Sequence, residues 1–362
     1  MNLEDKKIAI LSITNGGREK ALEIKNHLKN TDAFFIKKDN DYKNEQIIVV
    51  NKSLKEFVSE IFDKYDYLIF IMATGIVVRT IAPLVVSKFS DPAILVMDEK
   101  GHNIISLLSG HMGGANEMTL YISNLINSNP VITTATDVNK KSSLDMIAKS
   151  LNAHIDNFRD NVLKVNSMIV NNEEVHIYID GNYKINYQGF TLYDDKTDLD
   201  KVKSLVVVTN KKDINKMLNK DIENLNEKII KVIPKDIVIG IGCKKNTDSD
   251  HMKNSLLKFL DEYNIDINGI KEIGSIEIKK EEKAIIDLAK FLGVDFKTFS
   301  VDEISKVDYL YEKSQWVKKN VGVYSVSDPV AHLLSEGRVI INKQKYDGIT
   351  FSIGRIDIWY TL

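Results

Sequence analysis

Short apolar runs alternate along the first third of the chain with stretches in which hydrophobic positions recur every three or four residues. Lys7–Ile13, Gln46–Val50 and Tyr67–Met72 read as buried strands, too short and too evenly apolar for amphipathic helices. Thr14-Asn15-Gly16-Gly17 is a turn that opens a helix with Ala21, Leu22, Ile24 and Leu28 at helical spacing. Ser53 caps an amphipathic helix reaching Phe62, and a further helix is predicted from Ile76 to about Leu84. Asp91-Pro92 is a turn, and Ala93–Met97 and Asn103–Leu108 form a hairpin around Asp98-Glu99-Lys100-Gly101. A glycine-rich loop, a helix over Ala115–Ile126 and a strand over Val131–Thr134 complete the segment. This alternation predicts an α/β protein with mainly parallel sheets flanked by helices.

The pattern changes twice. Residues 153–235 are richer in Asn, Lys and Asp, with strand-like runs at Val175–Ile179 and Leu205–Val208, and read as a small α/β module. Near Asp236 strong periodicity returns: a strand at Ile237–Ile241, a helix over Asp248–Tyr263 capped by Asp248 or Ser249, and a strand at Ile273–Ile278. A helix over Glu281–Leu292, a strand at Val321–Tyr324 and a short helix begun by Asp328-Pro329 and closed at Gly337 follow. Val339–Asn342 and Ile349–Ile353 are the final strands. The expectation is three segments: 1–137, 138–235 and 236–362.

A chain of 362 residues suffices for two or three domains. Its 49 basic residues against 51 acidic ones leave a formal charge of −2, without the basic excess of a nucleic-acid-binding domain. Cys243 is the only cysteine, so neither an intrachain disulfide nor a cysteine metal cluster can form, and a reducing cytoplasm is expected. Tyr67–Val86 approaches membrane-spanning length but contains Arg79 and Pro83. An arginine at a bilayer centre costs roughly 2.5–3.5 kcal/mol. A strand, a Thr-Gly turn and a buried helix account for the same residues without that cost.

Residues 106–136 are unusual in another way: in a chain that is 28% charged, Glu117 is their only charged side chain. Yet Ser109, His111, Asn116, Thr133, Thr134 and Thr136 are all present. Buried polar groups need partners, and a ligand is one way to supply them. Gly110, Gly113 and Gly114 sit between a strand and a helix N-terminus, where backbone N–H groups can meet an anion. The same glycines also suit a tight strand–helix turn. His111 is either a general acid–base group or a hydrogen-bonded structural histidine, and Glu117 either shares its chemistry or complements the helix dipole. Arg79 lies near a predicted helix start, where a cation is disfavoured, and so expects an anionic partner in the protein or on a ligand. Lys244 and Lys245 form a carboxylate-binding edge beside another helix N-terminus, with Cys243 read as a small turn residue. Ser109 has no G-x-S-x-G setting, and neither a Walker lysine motif nor G-x-G-x-x-G occurs, which counts against serine hydrolases and common nucleotide sites.

Four strings carry a resemblance. They are Ala73-Thr74-Gly75-Ile76-Val77-Val78-Arg79-x-Ile81-Ala82-Pro83-Leu84, Asp91-Pro92-Ala93, Leu107-Leu108-Ser109-Gly110-His111-x-Gly113-Gly114-Ala115-Asn116-Glu117 and Val131-Ile132-Thr133-Thr134-Ala135-Thr136-Asp137. Together they closely resemble the CbiG family of cobalt-precorrin-5A hydrolases. Gly240-Ile241-Gly242-Cys243-Lys244-Lys245, Ser275-Ile276-x-x-Lys279-Lys280-Glu281 and Ser327-Asp328-Pro329-x-Ala331 resemble that family's C-terminal domain, with Asp328 where the family is expected to carry Glu. The resemblance implies anaerobic cobalamin biosynthesis: a cobalt corrinoid bearing a δ-lactone to C20 is opened, and C20 leaves with its methyl group as acetaldehyde. No cofactor or metal site of the protein's own is expected, since the cobalt arrives inside the substrate.

Residue chemistry then assigns His111 as base or acid and the N–H groups around Gly113–Ala115 as oxyanion donors. Glu117 and Asp137 would orient His111 or serve as a second acid. Arg79, Lys244 and Lys245 would take the substrate carboxylates. Thr74, Gly75, Ser109, Gly110, Gly113, Gly114, Asn116, Thr133, Thr134 and Asp328 complete the expected substrate-binding set. The partner is a small-molecule corrinoid, with no membrane or nucleic acid; pathway methyltransferases and a homo-oligomer are left open. A non-catalytic tetrapyrrole carrier handing intermediates to methyltransferases is the alternative.

Overall fold

Strand β1 (Ile8–Ser12) is buried along its whole length in the computed structural model, which describes residues 3, 5–37, 45–88, 90–194, 197–198, 201–215 and 228–358. A strand buried on both faces needs cover on both, and the sequence supplies it. Ile8 and Ile10 face Ala21 and Ile24 of helix α1 (Asn15–Lys25), while Ala9 and Leu11 join the opposite core with Phe57 and Val58 of helix α2 (Leu54–Ile61). Thr14 accepts a hydrogen bond from the Gly17 N–H at 3.1 Å, and Ser53 one from Glu56 at 3.3 Å, so both helices start at hydroxyl caps, Ser53 as the sequence indicates and Thr14 within the turn it predicts.

The chain divides into two compact units between Met146 and Ile147. In the first, β1, β2 (Thr31–Ile36), β3 (Ile48–Val50), β4 (Tyr67–Ile71), β5 (Ala93–Met97), β6 (Asn103–Leu108) and β7 (Asn129–Val131) form one sheet in the order 3-2-1-4-5-6-7. The hairpin between β5 and β6 is antiparallel; the other neighbours pair in parallel. Asp98 closes that hairpin by accepting the N–H groups of Lys100, His102 and Asn103. The reversal has a consequence for function. β6 and β7 run against the other five strands, so their carboxyl ends lie at the edge where β4 and β5 begin.

Two sequence expectations shift here. The last strand is Asn129–Val131 rather than Val131–Thr134. It includes Pro130, which an edge strand tolerates because no neighbour needs its missing N–H, and it leaves Thr133 and Thr134 beyond the sheet. The long apolar stretch from Tyr67 resolves into β4 and helix α3 (Thr74–Ile81). No helix among the described residues is long and apolar enough to cross a membrane.

The second unit carries two sheets. β8 (His176–Ile179), β9 (Thr191–Leu192), β10 (Leu205–Val208) and β11 (Ile229–Val232) are parallel in the order 11-10-8-9. β12 (Ile237–Cys243), β13 (Ile270–Ile276), β14 (Asp295–Phe299), β15 (Val339–Tyr346) and β16 (Ile349–Arg355) form a mixed sheet in the order 14-13-12-16-15. Asp248, rather than Ser249, caps the helix Ser249–Glu262 by accepting the His251 N–H. The strand expected at Val321–Tyr324 is absent. A helix Gln315–Val321 ends there on Gly322 at φ +91°, a backbone conformation open to glycine and closed to the β-branched residues around it.

Candidate functional site

The carboxyl ends of β6 and β7 bring the low-charge stretch together. β6 leads into Ser109–Gly114, and α4 (Ala115–Ile126) follows; β7 leads into Ile132–Thr134 and α5 (Ala135–Val138). Ser109 is buried, sits at φ +57° and donates its hydroxyl to the Asp91 carbonyl at 3.1 Å. A non-glycine residue in the left-handed region is strained, and such strain clusters where a loop is held for function. Gly113 is needed for closeness: a Cβ there would stand 2.5 Å from the Ser109 Cβ. Asn116, also buried, ties the two connections, accepting from Ser106 Oγ at 2.6 Å and donating to Thr134 Oγ1 at 3.1 Å.

His111 stands at the centre. Its Nε2 lies 3.1 Å from Thr136 Oγ1 and its Nδ1 lies 3.5 Å from Asp145 Oδ2. Asp145 is 3% exposed, in the first turn of α6 (Leu144–Ser150), so its charge acts on the imidazole with little water between. Hydroxyl, imidazole and carboxylate thus stand in line. A carboxylate on one ring nitrogen fixes the tautomer and leaves the other as the basic position. Sequence reasoning noted Thr136 only as part of the polar content of the stretch and did not find Asp145, which lies past the segment boundary with no motif around it.

The loop amides divide differently from expectation. The Gly114 and Ala115 N–H groups are already donated to the His111 and Ser109 carbonyls at 3.1 and 3.2 Å. Among the described residues those of Met112 and Gly113 make no hydrogen bond, so the donors available to an oxyanion sit one to two residues earlier than Gly113–Ala115. Glu117 occupies the first turn of α4, where it complements the dipole; it also lies near enough to Tyr67 to add to the upward shift that burial gives that phenol. The Asp137 side chain lies outside the described residues. Thr133 is exposed, and Gly110 packs against the Asn116 amide.

Thr74, Gly75 and Arg79 are not brought to this loop. Thr74 and Gly75 follow the carboxyl end of β4, whereas the loop stands where β4 begins, roughly 16 Å away at about 3.3 Å per residue. Arg79 is exposed and donates to the Gly75 carbonyl at 2.9 Å, with no ion pair among the described residues. It needs no anion: α3 is only eight residues long, so Arg79 occupies its last turn, where a cation is favoured.

In the second unit Lys244 and Lys245 are exposed at the rim of a cavity of about 600 Å³. Cys243 also lines it, and burial raises its thiol pKa despite nearby Lys279, so it stays a protonated turn residue. Asp328 is 2% exposed and is not open to a ligand. Its Oδ1 accepts the Lys343 N–H at 2.6 Å and the Ser352 hydroxyl at 2.7 Å, tying the helix Ser327–Leu334 to β15 and β16.

Comparison with known proteins covers both units. Family models described as Cobalamin synthesis G N-terminal, Cobalamin biosynthesis central region and Cobalamin synthesis G C-terminus match residues 56–137, 142–216 and 237–354. A cobalt-precorrin-5A hydrolase of Salmonella typhimurium is 40% identical over 298 residues, which cover 81% of this chain and 83% of that protein. Another from Priestia megaterium is 31% identical over 361 residues, covering 96% and 94%. Among solved structures, a cobalamin biosynthesis protein G homolog from Sulfolobus solfataricus aligns over 98% of this chain and 99% of its own, at 22% identity and a TM-score of 0.41.

Proposed function

This chain belongs to the CbiG family of cobalt-precorrin-5A hydrolases, and from that membership we propose that it opens the δ-lactone of cobalt-precorrin-5A with water and releases acetaldehyde, giving cobalt-precorrin-5B. The observation that carries the reading on this chain's own residues is the Asp145–His111–Thr136 line at the end of β6 and β7.

With the Asp145 carboxylate beside Nδ1–H, Nε2 is the proton acceptor. A water reaching Nε2 beside the Thr136 hydroxyl loses its proton to His111 as its oxygen attacks the lactone carbonyl. The carbonyl oxygen takes up negative charge and is met by the Met112 and Gly113 N–H groups, aimed by the strained turn at Ser109. Collapse breaks the ester C–O bond, and the imidazolium returns its proton to the leaving alkoxide on C20. That hydroxyl then loses its proton as the C20–oxygen bond becomes a carbonyl. The bond from C20 to the macrocycle breaks, its electron pair passes to the ring, and a proton restores the ring. The cobalt belongs to the substrate; the protein's part is to bind, orient and move protons.

Anaerobic incubation of the purified chain with cobalt-precorrin-5A tests this, with acetaldehyde trapped and the corrinoid product weighed by mass spectrometry. Acetaldehyde equal to product formed is the expected result. A stoichiometric complex without acetaldehyde would overturn it in favour of a tetrapyrrole carrier.

A further inference from the structure

Six lysines gather around one cavity of about 600 Å³ in the second unit: Lys244, Lys245, Lys279, Lys313, Lys343 and Lys345, with Glu312 the one carboxylate in its lining. Two are neutralised locally, Lys343 by Glu312 at 2.7 Å and Lys279 by Glu282 at 2.9 Å, and Lys313 lies 5.4 Å from the centre of the Tyr324 ring. The ammonium groups of Lys244, Lys245 and Lys345 make no hydrogen bond or ion pair among the described residues. Cations gathered in this way repel one another, and an anionic occupant would relieve the repulsion.

The rest of the lining mixes apolar faces at Trp316, Tyr324, Val317 and Ile278 with the neutral polar side chains of Ser314, Asn320, Ser325 and Thr350. Trp316 presents its indole at 69% exposure, and Val317 and Ile278 line the same cavity. At the inner wall Ser325 keeps a buried hydroxyl without a hydrogen-bond partner among the described residues. A buried orphan hydroxyl beside a cavity awaits an acceptor or donor from whatever fills it.

We propose that this cavity is a corrinoid-binding site, with the macrocycle lying on Trp316 and its rim carboxylates on Lys244, Lys245 and Lys345. The identity of the ligand rests on the function proposed above; the demand for a flat polyanion rests on the cavity alone. Lysine suits the task, since mobile point charges follow flexible acetate and propionate arms better than a rigid guanidinium fork does.

The test uses the full chain carrying Trp359→Phe, which leaves Trp316 as the sole tryptophan of two. Its fluorescence is titrated with cobyrinic acid, with cobinamide (the same ring with amides in place of carboxylates) and with ATP. Expected are saturable quenching by cobyrinic acid, much weaker quenching by cobinamide, and about tenfold or greater loss of cobyrinic acid affinity in Lys244→Ala/Lys245→Ala/Lys345→Ala. The matching triple Arg variant, with unchanged melting temperature, should bind within about threefold of the parent because the charges remain. Equal affinity in the parent and the Ala variant, equal affinity for cobinamide, or tighter binding of ATP would each overturn the proposal. Acetaldehyde release is measured on the same preparations to separate the two readings. Release by a chain whose quenching ignores the lysines sinks the cavity and spares the hydrolase. Lysine-dependent quenching without release from the parent does the reverse.

Discussion

The Asp145 carboxylate stands 3.5 Å from Nδ1 of His111 and reaches it from the first turn of a separate helix, across the turn that follows β7. A pair so placed fixes the ring and leaves Nε2 as the working nitrogen. Replacing His111 by Ala removes the proton carrier and should lower kcat for acetaldehyde release by about 10²–10⁴-fold, the usual worth of a positioned acid–base group. Asp145→Asn keeps the shape but can turn an amide N–H toward Nδ1, which favours the wrong tautomer; a loss of about 10²-fold is expected. Near-parental kcat in His111→Ala would remove the mechanism.

Thr136 separates two chemistries that share this geometry. If its hydroxyl only guides the attacking water to Nε2, Thr136→Ser should stay within about threefold of the parent and Thr136→Val should lose about tenfold, the scale of one uncharged hydrogen bond. Intact-mass measurement during turnover should find no acyl adduct. A loss in Thr136→Val as deep as in His111→Ala, or a trapped adduct on Thr136, would make the threonine the nucleophile and displace the water route.

What the sequence revealed and what it hid follow from the range of the interactions. Local rules served well: Ser53 and Asp248 cap helices because a hydroxyl or carboxylate three residues before an orphan N–H needs no distant partner. The loop from Ser109 to Asn116 was visible because polar residues in an almost uncharged stretch must be satisfied somewhere. Asp145 was invisible, since only the fold carries it back to His111. Arg79 misled because its helix starts two residues earlier and ends three residues earlier than the apolar pattern suggests, which moves it from near a helix start into the last turn. Edge position explains Pro130 inside β7; the apolar pattern begins the strand after that proline rather than across it.

The strained turn makes a stability prediction. At φ +57° Ser109 carries a backbone cost of about 1–2 kcal/mol, offset by its hydrogen bond to the Asp91 carbonyl, worth about 1 kcal/mol. Ser109→Ala keeps the strain and loses the bond, so denaturant unfolding should show a loss of about 1 kcal/mol. Ser109→Gly loses both and should fall close to the parent. Gly113→Ala pushes a methyl to 2.8 Å from the Ser109 carbonyl oxygen and should cost about 1–3 kcal/mol. An Ala at 113 with parental stability would show the turn to be looser than its geometry.

Asp236 gives the second unit a pH dependence of unusual sign. Its carboxylate is 1% exposed and accepts from Tyr183 Oη at 2.9 Å and from the Asn210 amide, with Arg355 Nε at 3.5 Å. Burial nevertheless wins and holds its pKa above the ordinary 3.8, against the pull of Arg355, Tyr183 and Asn210. Above 3.8 the folded chain therefore binds more protons at this position than the unfolded one, and stability falls as pH rises through the raised value. Below 3.8 the group is protonated in both states and the penalty vanishes. Asp236→Asn keeps an acceptor for Tyr183 and cannot ionise. Its unfolding free energy should gain on the parent's as pH rises from about 4 toward the raised value, read by denaturant titration at each pH. A parent that gains on the variant over that interval would mean that Arg355, not burial, controls this carboxylate.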